Sequence, residues 1–125
     1  MTEIKNERDY KLFFQMHPIL QLIVMDGANW AFENGLNYVI TETVTTLEDD
    51  LKANRKTKTH RTKRACDVRS ASWPKWARKA FINYLTEKYG EYAAVNTEGV
   101  KILVKDHDSG SGDHFHIQIH WKYAL

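Results

Sequence analysis

Three histidines crowd the end of the chain, His114, His116 and His120, with His107 just before them and His60 in mid-sequence. Imidazole is the commonest metal ligand and the one side chain that titrates near neutrality without perturbation. From His114 to Trp121 the sequence alternates, with His114, His116, Gln118 and His120 on one side and Phe115, Ile117, Ile119 and Trp121 on the other. That period of two marks a strand, and at ~3.3 Å per residue His114 and His116 project from one face about 7 Å apart. Such a pair can share a ligand; a merely hydrated strand face is the alternative. His60 and Asp67 lie seven positions apart. On a helix they would be separated by about 10.5 Å, long for one ion, whereas a turn feeding a short strand would let them converge. Asp113, three residues before His116, would offer a carboxylate at the mouth of the last strand.

The elements that must position these groups are readable in part. His17-Pro18 starts a helix whose apolar positions Leu20, Ile23, Val24, Ala28, Ala31 and Phe32 follow helical spacing, and Asn34-Gly35 ends it. Tyr38 to Thr46 is rich in β-branched residues and reads as a strand, with a helical turn expected at Leu47–Ala53. Ala65 to Val68 is a short strand. A second long helix is expected from Ser72-Trp73-Pro74, with Ser72 as its cap, to Tyr89-Gly90. Val100 to Val104 is a strand, and Lys105 to Gly112 reads as a loop in which Asp106, His107 and Asp108 either bind an ion or are solvated. The prediction is an α+β domain, with a small, mainly antiparallel sheet of about four strands packed with two long helices. Trp73, Trp76 and Trp121 are expected in the core or a cleft wall, and Cys66 buried and facing away from Asp67.

Composition narrows the class. A chain of 125 residues with 42% hydrophobic residues is one domain, 1–125, with enough apolar surface for a core. A single cysteine excludes a disulfide framework and a four-cysteine zinc site. No apolar run is long enough to span a membrane, and the first residues lack a signal-peptide core, so cytoplasmic synthesis is expected. Net charge is only +2, yet Lys52 to Arg69 holds eight Lys and Arg against one Asp. This strip is either a solvated loop or an attractor for an anionic polymer. No nucleic-acid motif accompanies it, and nucleic acid is not the expected partner.

The block His60-Arg61-Thr62-Lys63-Arg64-Ala65-Cys66-Asp67 resembles the H-x-x-G-R-A-x-D signature of a zinc peptidase family. That family comprises D-alanyl-D-alanine carboxypeptidases and dipeptidases and phage L-alanyl-D-glutamate endopeptidases. Asp113-His114-Phe115-His116, continued by Ile117-Gln118, is similar to the family's second signature, an acidic residue three positions before a histidine. Order and spacing agree, and the likeness spans roughly residues 17 to 121. The resemblance implies a hedgehog/DD-peptidase-like fold and one zinc ion held by His60, Asp67 and His116. It implies Asp113 as general base; Arg64, at the signature's own arginine position, could bind substrate, and His114, on the strand face of His116, could contact substrate or orient the site. A catalytic zinc with three protein ligands keeps a fourth position for water, and the base takes that water's proton.

The expected protein is therefore a monomeric zinc metallopeptidase cutting stem peptides of bacterial peptidoglycan. It would act at the wall after release from the cytoplasm, as a phage endolysin, or be carried on the virion. Three positions depart from the pattern: Lys63 replaces the signature glycine, Lys58 replaces a small hydroxyl residue, and Thr45 stands where an upstream arginine is usual. Arg55, Arg61 or Arg64 could stand in for that arginine. The departures leave open a metal-binding phage structural or binding module of the same fold without the chemistry.

Overall fold

A computed structural model describes residues 2–54, 58–108 and 112–124. Arg55, Lys56 and Thr57 of the basic stretch, and residues 109–111 of the expected loop, lie outside the described residues. Among the described residues the fold is α+β, with four helices and a mixed five-stranded sheet. The strands are β1 (Thr2–Ile4), β2 (Tyr38–Glu42), β3 (Ala65–Arg69), β6 (Val104–Asp108) and β7 (Asp113–Gln118), in the order β1-β2-β3-β7-β6. A separate hairpin pairs β4 (Ala94–Val95) with β5 (Lys101–Ile102). Within the five-stranded sheet, β1 runs parallel to β2 and the other pairings are antiparallel.

The two long helices form where periodicity places them. In α2 (Pro18–Glu33), the buried residues Leu20, Ile23, Val24, Gly27, Ala28 and Ala31 make one stripe, and His17 Nδ1 caps the start by accepting from the Ile19 N–H. In α4 (Lys75–Tyr89), Ala77, Phe81, Leu85 and Tyr89 recur every four residues on the buried face. Gly27 lets the layers close: a Cβ there would lie 2.8 Å from the Tyr38 hydroxyl oxygen. That hydroxyl donates to the Val24 carbonyl, and Phe81 packs 4.6 Å from Phe115, centroid to centroid. Each large apolar side chain so buried contributes about 1.5–3 kcal/mol.

Several expectations needed correction. Ser72 is not the cap of α4; Pro74 occupies the cap position without a side-chain bond, because Trp73 is anchored through Nε1 to the Asn37 carbonyl and a turn closes from its N–H to Ser70. Trp76 and Trp121 are 59% and 69% exposed, so only Trp73 of the three enters the core. The segment 104–108, expected as loop after Val104, is the edge strand β6. The short β1 and the helix α1 (Glu7–Leu12), capped by Asn6, were not foreseen.

Among the described residues, no helix is long and apolar enough to cross a membrane.

Lys63 has φ +66°, a left-handed conformation that costs a residue with a Cβ about 1–2 kcal/mol. The strain persists because both its backbone groups are fixed, with its N–H bonded to His60 and its carbonyl to His17. Lys63→Gly should therefore raise stability in urea or thermal unfolding by about 0.5–1 kcal/mol after glycine's extra unfolded-state entropy is subtracted. Lys63→Ala should give no gain, since alanine keeps the Cβ.

Candidate metal centre

The sheet divides the molecule. On β7, Phe115 and Ile117 face α2 and α4, so His114, His116 and Gln118 face the other side. On β3, Cys66 and Val68 enter the core while Asp67 shares the face of His116, its direct cross-strand partner. Antiparallel pairing thus delivers one carboxylate and one imidazole to a common point. His116 Nδ1 lies 2.9 Å from Asp67 Oδ1.

His60 arrives from the turn before β3. Thr62 and Lys63 N–H groups fold back on Lys58 and His60 carbonyls, and this tight turn points the imidazole inward. His60 Nε2 stands 3.3 Å from Asp67 Oδ1, and the His60 and His116 rings are 5.3 Å apart. The coordinating atoms of His60, Asp67 and His116 all lie within 4.8 Å of one another. Both His60 (2% exposed) and Asp67 (7%) are buried.

The outward nitrogens are held as well. His60 Nδ1 is 2.7 Å from the Thr43 carbonyl, and His116 Nε2 is 2.8 Å from Gln118 Oε1. A carbonyl oxygen only accepts, so each of these nitrogens carries the proton and donates it. The lone pairs of His60 Nε2 and His116 Nδ1 then both point at a carboxylate. Thr43 is fixed in turn by Asp9 on α1, whose Oδ1 accepts from the Thr43 N–H at 2.9 Å and hydroxyl at 2.7 Å. Imidazoles oriented from behind by carbonyls are the usual second layer of a metal site.

Electrostatics follow from this convergence. Burial alone would raise Asp67, but His60 and His116 hold its carboxyl far below the usual carboxylate range. Burial alone would lower His60; the Asp67 carboxylate and its hydrogen bond carry it above its ordinary value, with Glu42 and the Thr43 carbonyl helping. Either protons or a divalent cation must separate the converging lone pairs. Ligand atoms on a tetrahedral zinc ion lie about 3.3 Å apart, and Asp67 Oδ1 lies 2.9 Å from His116 Nδ1 and 3.3 Å from His60 Nε2, so the cluster could hold a metal ion. With two nitrogens and one oxygen, the set does not by itself select zinc over nickel, cobalt or manganese.

The remaining predicted residues are placed differently. His114 joins the face of the centre, its Nε2 3.8 Å from Asp67 Oδ2. Arg64 donates to the Ile119 carbonyl and ties the start of β3 to the end of the chain. Asp113 does not converge with the three ligands. In a regular strand, residues three apart face opposite sides, and the Asp113 carboxylate meets Arg78 of α4 at 3.1 Å on the helical side. Arg78 also contacts Asp106 and the Trp73 and Ala71 carbonyls.

Sequence reasoning set His107 in a loop, as an ion ligand or solvated, and singled out neither Glu42 nor the hairpin. His107 stands opposite His114 on β6, with rings 4.4 Å apart, and burial and the facing His114 and His116 lower its pKa. Alternation of Val104 and Asp106 against Lys105 and His107 was the available signal. Glu42 is the cross-strand partner of Asp67 on β2. Beside His116 and Gln118 lies a cavity of about 230 Å³, walled by Lys105 and by Ala94, Val95, Asn96 and Ile102 of the β4–β5 hairpin region.

No family model, curated protein or solved structure matches this chain.

The raised His60 value sets a pH dependence. In metal-free protein its contribution to stability is full below the unfolded value of about 6.5 and is lost as pH rises through the folded value. Zinc competes with that same proton, so its affinity should fall about tenfold per pH unit below the folded His60 value. Thermal scans across pH with chelator, and again with zinc, should show the metal-free protein losing stability as pH rises from about 6.5, with the zinc increment growing over the same interval. An increment independent of pH would contradict His60 as a ligand.

Proposed function

We propose that this protein is a zinc-dependent peptidase whose substrate is a stem peptide of bacterial peptidoglycan, in a hedgehog/DD-peptidase-like fold. The observation that carries the reading is the convergence of His60, Asp67 and His116, each imidazole held from behind, on one buried point. A divalent cation there supplies Lewis acidity to a scissile carbonyl and makes water acidic enough to ionise near neutrality.

Two further features support the peptidase family. Lys63, at the position of the signature glycine, adopts the left-handed backbone that glycine takes without strain. A left-handed residue at this point of the turn is one that a signature glycine would serve. The cavity beside His116 offers an extended substrate a wall of hairpin backbone and the Lys105 ammonium as a partner for a substrate carboxylate.

Asp113 remains the proposed general base, a role that requires its carboxylate to leave Arg78 and turn toward the ligands. Its present contact favours a second reading, a metal-binding phage structural or binding module of the same fold that lacks the hydrolytic step. On either reading the protein works at the bacterial wall or on the virion.

Incubating purified peptidoglycan with zinc-loaded protein, with chelator as control, separates the readings. The peptidase should release new amino termini, lose them with chelator, and lose at least about 100-fold in rate in Asp113→Asn while still binding zinc. Bound zinc with no new termini from the wild-type protein would leave the binding module.

A further inference from the structure

In the order β1-β2-β3-β7-β6, β1 is an edge strand whose single neighbour is β2. Ile4 is in register with Ile40, and the Lys5 N–H continues the ladder by donating to the Ile40 carbonyl at 2.8 Å. Backbone groups point alternately to the two sides of a strand. Those of Glu3 and Lys5 therefore serve β2, while the N–H and carbonyl of Ile4 point to the open edge. Among the described residues no strand takes them up. A second copy running antiparallel would exchange both bonds at Ile4, with a two-fold axis passing between the two Ile4 residues.

The charges beside Ile4 suit that axis. With Ile4 opposite its own copy, Glu3 comes opposite Lys5 of the second copy, and Lys5 opposite Glu3, so both symmetry-related pairs join opposite charges. A lysine on an edge strand ordinarily discourages pairing; in this register its partner is a carboxylate. The helical side of the same edge is apolar. Ile4 and Ile40 line a cavity of about 560 Å³ together with Tyr10 of α1, Phe14 of the turn that follows it, and Leu22 and Met25 of α2. Tyr10 and Phe14 are 61% and 69% exposed, and Leu22 and Met25 are exposed as well. At ~150–250 Å² per aromatic side chain, the two rings leave roughly 200–330 Å² in water. That is a quarter to two-fifths of the ~800 Å² each partner of a stable dimer buries, before Leu22, Met25 and the strand are counted.

We propose that this protein forms a two-fold dimer through antiparallel pairing of its β1 edges, in place of the monomer expected from sequence. The axis runs across the sheet, so both helical layers fall on one side and the two apolar cavities adjoin there. The joined sheet has ten strands, and its two faces keep their character: helices on one, the His60, Asp67 and His116 clusters on the other. The inference goes beyond the function proposed above and is independent of any metal.

Sedimentation equilibrium of the full chain, with chelator and again with zinc, should give a concentration-dependent mass approaching twice that of one chain. Lys5→Glu and Glu3→Lys each set like charges in both symmetry-related pairs, and each should weaken the dimer at least about tenfold. Mixing the two variants should restore it as a mixed dimer, because one then carries only acidic and the other only basic side chains at these positions. A change that merely disturbed folding would not be rescued by mixing, and both side chains are exposed. A wild-type protein that stays monomeric up to on the order of 1 mM would overturn the proposal and leave the edge and cavity to a different occupant. A dimer that both single variants leave as tight as the wild type, or a mixture that fails to restore it, would overturn the pairing at β1.

Discussion

A carboxylate buried to the extent of Asp67 costs several kcal/mol unless charge and hydrogen bonds compensate it. The local architecture is organised around that requirement. β7 supplies His116 by direct cross-strand pairing, and the turn before β3 supplies His60. Removing either imidazole would leave the remaining group facing a buried anion with half its compensation. The requirement extends outward through Thr43 to Asp9, a second buried carboxylate, which fixes the backbone that orients His60. β2 stops at Glu42, and Thr43 gives its N–H, hydroxyl and carbonyl to this chain of contacts instead of to the ladder.

Core and centre are coupled through strand parity. Phe115 and Ile117 pack under the helices, and that burial fixes which residues of β7 reach the other face. A slip of one residue would exchange the two sets, exposing two large apolar side chains and burying the histidines among hydrocarbon. At about 1.5–3 kcal/mol per buried side chain, the core alone holds the register that brings His116 to Asp67. The apolar residues between the histidines therefore specify the candidate metal site as firmly as His60, Asp67 and His116 do.

The sequence was legible where periodicity was strong and opaque where contacts were remote or made by backbone. Helical spacing marks α2 and α4, and alternation marks β7. By contrast β1 is three residues with little apolar character, held by backbone pairing to β2, and β6 is a polar edge strand whose alternation is carried mainly by one valine and one histidine. The turn between His60 and Asp67 was expected on distance grounds, and its left-handed residue is Lys63 where the resembled signature has glycine. No sequence signal could reveal the Thr43 carbonyl as the partner of His60, since every residue carries one. Asp113 is the instructive case: a spacing of three suits a motif, but a strand with period two sends residues 113 and 116 to opposite faces.

That parity is weakest where Asp113 sits. It is the first residue of β7, its side chain is 42% exposed, and Arg78 ties that side chain to the helical layer. An exposed ion pair of this kind contributes about 0.2–1 kcal/mol. Arg78 would stay satisfied after losing it, because Asp106 and two backbone carbonyls also accept from the guanidinium. Turning the end of a strand is therefore far less costly than reversing its middle, where Phe115 and His116 are locked by core and cluster. Under the function proposed above, the division between a hydrolytic centre and a purely binding one would come down to this strand end and not to His60, Asp67 and His116, and Arg78 is the residue that holds it on the helical side.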